Sequence, residues 1–174
     1  ESGDDINNNF SIDIQTENCS LFLAKKVENV VVKESPDFIK KRLIASGIRP
    51  INNIVDISNY VMLETGQPLH FYDLRCFKKK ELTVIDNYEG KYKALDGIDY
   101  DIKKGDLIIS NDGKPFGIAG IMGGENSKIT DDVKTMLFEA ACFDGTNIRL
   151  SGKKLGMRTD AQAKFEKELD PNTA

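Results

Sequence analysis

One histidine and three cysteines are all that 174 residues provide of the side chains most used for metals and nucleophiles, and no stretch is uniformly apolar or strongly basic. Cys19, Cys76 and Cys142 are odd in number, far apart and outside CxxC spacing. That excludes a disulfide framework and a zinc site, and leaves them as reduced core thiols. No apolar run approaches the roughly 18 residues of a membrane-spanning helix, and the opening ESGDDINNNF lacks the basic-then-apolar layout of a signal peptide. A cytoplasmic protein without a membrane partner is expected. The net charge of -4 argues against a diffuse basic surface for nucleic acid, because neutralising phosphates takes clustered Lys and Arg. The sequence also lacks a P-loop, HExxH, GxSxG and any nucleophile beside a histidine, so common NTPases and covalent hydrolases have no local support.

What is present suits a single globular domain: 40% hydrophobic and 30% charged residues, with no linker, repeat or low-complexity tract. Residues 1–10 are expected to be disordered or frayed and 11–174 to form the domain. A sequence that starts without Met and stops at LDPNTA, just after a helical pattern, reads as a segment of a longer polypeptide. The alternating CSLFLAKKVENVVV (19–32) predicts the first strand. SPDFIKKRLIASG (35–47) predicts a helix with Ser35 as N-cap, Pro36 at its first position and Gly47 at its end. INNIVDISNYVMLETG (51–66) predicts a second helix with Ile51, Ile54, Val55, Val61 and Met62 on one face, interrupted by Ser58 and Asn59. From residue 81 short β-type runs are separated by Asp96-Gly97 and Asp112-Gly113, the chemistry of tight hairpin turns. KTMLFEAACF (134–143) predicts a further strand. DGTNIRLSGKKLG and TDAQAKFEKELD predict two closing helices, the second with Thr159 and Gln162 in capping-box spacing. The expected class is α+β, a layered sandwich of mostly antiparallel sheets with packed helices.

Several positions are open to a chemical and a structural reading. GIAGIMGGENS (117–127) carries four glycines in its first eight residues, which lets backbone N–H groups approach a ligand, or makes a bulge at a sheet edge. His70, in GQPLH, either takes part in chemistry or caps the turn after Pro68. Glu139 sits among Leu137, Phe138, Ala140 and Ala141, an expensive place for a carboxylate without a partner. Either a Lys or Arg pairs with it, or it receives a donor from a ligand. Ser58 and Asn59 either face a substrate or bond the helix backbone, and Thr159 either lines a site or caps its helix.

These positions converge on one resemblance. GIRPINNIVDISNYVMLETGQPLHFYDL, ALDG, GIAGIMGGENS, LFEAACFD and LGMRTDAQAKFEKELDP occur in the order and approximate spacing of the editing domain of the bacterial phenylalanyl-tRNA synthetase beta subunit. In that family the domain hydrolyses tyrosine mistakenly attached to the phenylalanine tRNA, as part of an alpha2beta2 assembly with the alpha subunit. The resemblance implies His70, Ser58 and Asn59 near the ester and the amino group, as the catalytic wall. It implies Gly120, Gly123 and Glu139 around the tyrosine ring and hydroxyl, with Thr159 and Ala161 completing the pocket. Ser58 stands where relatives often have Thr, which keeps the hydroxyl. FEKELDP lacks the glycine usual before DP, with Glu168 nearby, a departure that lies past the pocket. No cofactor is implied for editing; ATP and magnesium belong to the aminoacylation site of the full synthetase. The same pocket also fits a non-catalytic module that binds an aromatic amino acid or tRNA, or that is only structural.

Overall fold

The computed structural model describes residues 10–167, 169 and 172. The expected frayed stretch 1–10 lies outside the described residues except for Phe10, whose ring meets Phe77 edge-on at 5.1 Å. Glu168, Asp170 and Pro171 of the departing C-terminal motif also lie outside them. In chain order the elements are β1 (Ser11–Ile14), β2 (Cys19–Val27), α1 (Asp37–Ala45), α2 (Asn53–Thr65), β3 (Leu69–Asp73), β4 (Glu81–Ile85), β5 (Gly90–Lys93), β6 (Asp99–Ile102), β7 (Ile108–Asn111), β8 (Lys114–Ile118), β9 (Met122–Gly123), β10 (Met136–Phe143), α3 (Gly145–Leu155) and α4 (Asp160–Phe165).

The architecture is α+β. One sheet has the order β1-β4-β7-β8-β9, a second β2-β10-β3, and β5 and β6 form a hairpin. All pairs are antiparallel except β1 with β4. The strand β1, ahead of the expected first strand, escapes a reading based on alternation because all four of its residues are exposed.

Within the β2-β10-β3 sheet the middle strand β10 is buried on both faces. Alternate side chains of a strand face opposite sides. Leu137, Ala141 and Phe143 join Leu82, Val84, Ile108, Ile109, Phe116 and Ile118 in the main core against the five-stranded sheet. Met136 faces the other way and packs with Val30, Ile54 and Val133 in a smaller cluster beneath α2. The result is a helix, sheet, sheet stack.

The turns follow local chemistry. Asp112 and Gly113 have φ of +52° and +68° between the paired residues Asn111 and Lys114, so only this two-residue segment bridges β7 and β8. α2 opens where the Asn52 side chain accepts the N–H groups of Ile54 and Val55, and it closes at Gly66 in the left-handed region. Two expectations are corrected. Ser35 does not cap α1; the N-cap is Pro36, and the Ser35 hydroxyl instead donates to buried Asp56 at 2.5 Å. The predicted apolar face of α2 is only partly buried: Ile54 and Met62 are inside, whereas Ile51 precedes the helix and is 69% exposed. Asp56 takes an inward position, where it accepts the Ile51 N–H as well.

Candidate functional site

In the antiparallel pairing of β3 with β10, His70 stands directly opposite Glu139. Strand parity puts Tyr72 on the same face, two residues along from His70. The three side chains therefore meet on the core side of the central sheet, and together with Gly120, Gly123, Ala161 and Phe165 they line a cavity of about 70 Å³.

Glu139 is buried and its partner is neither Lys nor Arg. The Tyr72 hydroxyl donates to Oε2 at 2.5 Å, and no described residue donates to Oε1. Burial raises the Glu139 carboxyl to about 7, with the Tyr72 hydrogen bond opposing the rise. Burial and the adjacent carboxylate push the Tyr72 phenol well above its ordinary value. Tyr72 is held by rings on three sides: it stacks on Phe116 at 5.7 Å and meets Phe77 and His70 edge-on at 5.8 and 4.5 Å.

His70 sits inside a strand rather than capping the turn after Pro68. Burial lowers its pKa to about 4, so the imidazole is neutral near pH 7. Among the described residues it has no hydrogen-bond partner, which leaves one nitrogen able to accept and the other able to donate. A second cavity, about 320 Å³, lies on the side of α2 and is lined by Ser58, Asn59, Leu69, His70, Leu95 and Ser127 among others. Leu69 and His70 line both cavities.

The remaining sequence-predicted residues fall into place around this pair. The Ser58 hydroxyl donates to the Leu69 carbonyl at 2.9 Å, tying α2 to β3 beside His70. Asn59 follows it on the lining of the larger cavity. Gly123 lies against the imidazole: a Cβ there would come within 2.5 Å of His70 Cε1. Gly120 lines the smaller cavity, yet its missing Cβ would meet Ile148, Phe165 and Phe143. Its φ of +67° at the third position of the turn closed by Ile121 N–H to Ile118 O is a second requirement for glycine. Thr159 does not line the cavity. Its hydroxyl donates to the Ile121 carbonyl at 3.0 Å and accepts the Gln162 N–H, so it caps α4 and ties that helix to the glycine loop. The Gln162 side chain donates to Glu166 instead of completing a reciprocal capping box. Ala161, the second residue of α4, does line the cavity.

Sequence reasoning missed Tyr72, Phe165 and Leu95. For Tyr72 a signal was available, since a residue two along from His70 in a strand shares its face. Among the described residues no cluster of three His, Cys, Asp or Glu side chains has the arrangement of a metal site. No helix among them is long and apolar enough to cross a membrane.

The chain and its fold have counterparts among known proteins. A family model described as "B3/4 domain" matches residues 18–174, and the chain belongs to that family. More particularly, it is similar to part of phenylalanine–tRNA ligase beta subunits. The beta subunit of Clostridium tetani is 44% identical over 168 residues, which is 96% of this chain and 21% of that protein. That of Protochlamydia amoebophila is 41% identical, covering 99% of this chain and 22% of the relative. The chain thus spans about a fifth of the length of these curated relatives. Among solved structures, an N-terminal fragment of the phenylalanyl-tRNA synthetase beta subunit from Pyrococcus horikoshii matches with a TM-score of 0.56. It covers 90% of this chain and 49% of the fragment, and at 10% identity it speaks for the fold alone.

Proposed function

We propose that the chain is an editing domain that hydrolyses the ester of tyrosine mischarged on the phenylalanine tRNA. The observation that carries this reading is the cross-strand pair of Glu139 and His70, a buried carboxylate with one oxygen unpartnered facing a neutral imidazole. Glu139 selects. A tyrosine hydroxyl satisfies the open oxygen, while phenylalanine leaves it desolvated and without a donor, so the correct product is disfavoured.

His70 acts at the other end of the amino acid. It lines both cavities, so an aminoacyl group with its ring toward Glu139 has its ester beside the imidazole and its terminal ribose toward the larger cavity. Water held by the accepting nitrogen attacks the ester carbonyl, the acyl C–O bond breaks, and the proton ends on the departing ribose oxygen. An aminoacyl ester is already reactive, so placing water against it contributes most of the rate. Among the described residues no carboxylate orients the imidazole from the far side, and His70 is assigned water and ester placement rather than a triad role. Ser58, already donating to Leu69, keeps lone pairs for the substrate amino group, with Asn59 beside it.

The smaller cavity, at about 70 Å³, holds a few waters; a tyrosine ring requires its lining side chains to give way. The tightness favours, as the second reading, a non-catalytic or structural module of the same ligase. Following deacylation of tyrosyl- and phenylalanyl-tRNA by this chain and by the complete ligase separates the two. Faster loss of the tyrosyl ester supports editing, and equal, uncatalysed loss of both supports the alternative. With a net charge of -4 the chain has little to hold tRNA by itself. Within this reading its setting is a cytoplasmic alpha2beta2 synthetase whose alpha subunit and remaining beta modules supply the grip on tRNA. Editing needs no cofactor, and ATP and magnesium serve aminoacylation elsewhere in that enzyme.

A further inference from the structure

Glu139 is the proposed reader of the tyrosine hydroxyl, yet a tyrosine hydroxyl of the chain itself is already bonded to it. We propose that Tyr72 is a positioning residue for substrate selection: by occupying Oε2 it fixes the Glu139 carboxylate and leaves Oε1 as a single acceptor for one hydroxyl. The inference rests on the editing reading of the site and deepens it.

The geometry carries the argument. Tyr72 is 1% exposed and its ring is stacked on Phe116 and edged by Phe77 and His70, so the hydroxyl has little freedom to leave the carboxylate. A carboxylate with no resident donor could rotate, or take a proton and become a donor itself. Either change blurs the distinction between tyrosine and phenylalanine, since a protonated carboxyl no longer demands a donor from the substrate. The Tyr72 bond favours the ionised form and opposes the rise that burial imposes on Glu139. The titratable groups around the pair are His70 on β3, Cys19 on β2 and Tyr92 on β5. Burial pushes the Tyr92 phenol up and keeps it protonated, raises Cys19 to about 12 and lowers His70 to about 4. Between pH 6 and 9 Glu139 is therefore the member of this group that changes charge.

The test is Tyr72→Phe, which keeps the stacked ring and removes one oxygen, made in the complete ligase alongside Glu139→Gln and the double variant. The readout is the ratio of tyrosyl to phenylalanyl ester hydrolysis from pH 6 to 9, with thermal unfolding as the check on folding. An ionised acceptor holds a neutral donor roughly tenfold better than a neutral acceptor does. The ratio should fall about tenfold near pH 7 in Tyr72→Phe and recover toward higher pH; adding Glu139→Gln should cause no further fall near pH 7 and should abolish the recovery. A ratio unchanged at every pH in folded Tyr72→Phe overturns the inference and leaves the editing reading standing. Independent losses that multiply in the double variant overturn it too. Unmodified ligase with no preference for the tyrosyl ester overturns both. If Tyr72→Phe does not fold, Glu139→Asp, which draws the carboxylate back from the Tyr72 hydroxyl, should give the same fall; a retained ratio there overturns the inference.

Discussion

Between pH 4 and 7 the two facing groups of the site work on stability in opposite directions. Folded Glu139 keeps its proton up to about pH 7, whereas an unperturbed glutamate releases it at 4.5. Over that interval the native state binds more protons than the unfolded chain, so this contribution is present at low pH and lost as pH rises toward 7. His70 has the reverse sign. Its native imidazole takes a proton only at about pH 4, against 6.5 unperturbed, so the unfolded chain binds more protons there. Its contribution is present above 6.5 and lost as pH falls toward 4. At about 1.4 kcal/mol for each tenfold change in proton binding, each displacement is worth about 3 kcal/mol. In the unmodified protein the two oppose each other from 4.5 to 6.5 and their joint slope is near zero. Glu139→Gln exposes the histidine alone, and stability should then rise by about 3 kcal/mol between pH 4 and 6.5 relative to the parent's trend. His70→Asn exposes the glutamate, and stability should fall by a similar amount between 4.5 and 7. Urea unfolding at half-unit pH steps measures both, and carboxylates common to the three proteins cancel in the differences. Variants whose pH trends run parallel to the parent would refute burial as the cause of both displacements.

Three further perturbations address the proposed roles directly. Above pH 7, where Glu139 is ionised, Glu139→Ala removes an acceptor worth about 1.5 to 3 kcal/mol, so the preference for tyrosyl over phenylalanyl ester should fall by roughly ten- to a hundredfold; a lower rate on both substrates at constant ratio would make Glu139 structural. His70→Ala should lower the hydrolysis rate while free tyrosine still binds, as calorimetry would measure, and full-speed editing would return the histidine to packing. Gly123→Ala drives a methyl into the imidazole, so it should reproduce the His70→Ala rate loss without altering the tyrosine preference, and a normal rate would mean that the ring's position there is unimportant.

The parts of the fold legible in the sequence are those written in local chemistry. Asp112-Gly113 makes its hairpin because the turn demands two positive φ values, and Gly66 ends α2 in the left-handed region. Ser35 was misread because a residue with the right side chain for a cap has a stronger claim on it 21 positions away, at Asp56. Of the site, the members were readable but their relations were not. Nothing within seventy residues of Glu139 announces that His70 is its cross-strand partner, because register is decided by how whole strands bury their faces. Thr159 was named for the pocket, yet its hydroxyl is committed to Ile121 and Gln162, so it shapes the site by holding the glycine loop.

The same register bears on the proposed selectivity. A carboxylate in an apolar strand is tolerated only with a donor, and Tyr72 provides one from the neighbouring strand without neutralising the charge as Lys or Arg would. A bidentate guanidinium there would engage both oxygens and compete with a substrate donor. A phenol holds one. The partial satisfaction of Glu139 by Tyr72 would also leave the carboxylate able to tell one hydroxyl from none, so the burial of Glu139 in β10 and the proposed selectivity share a single hydrogen bond.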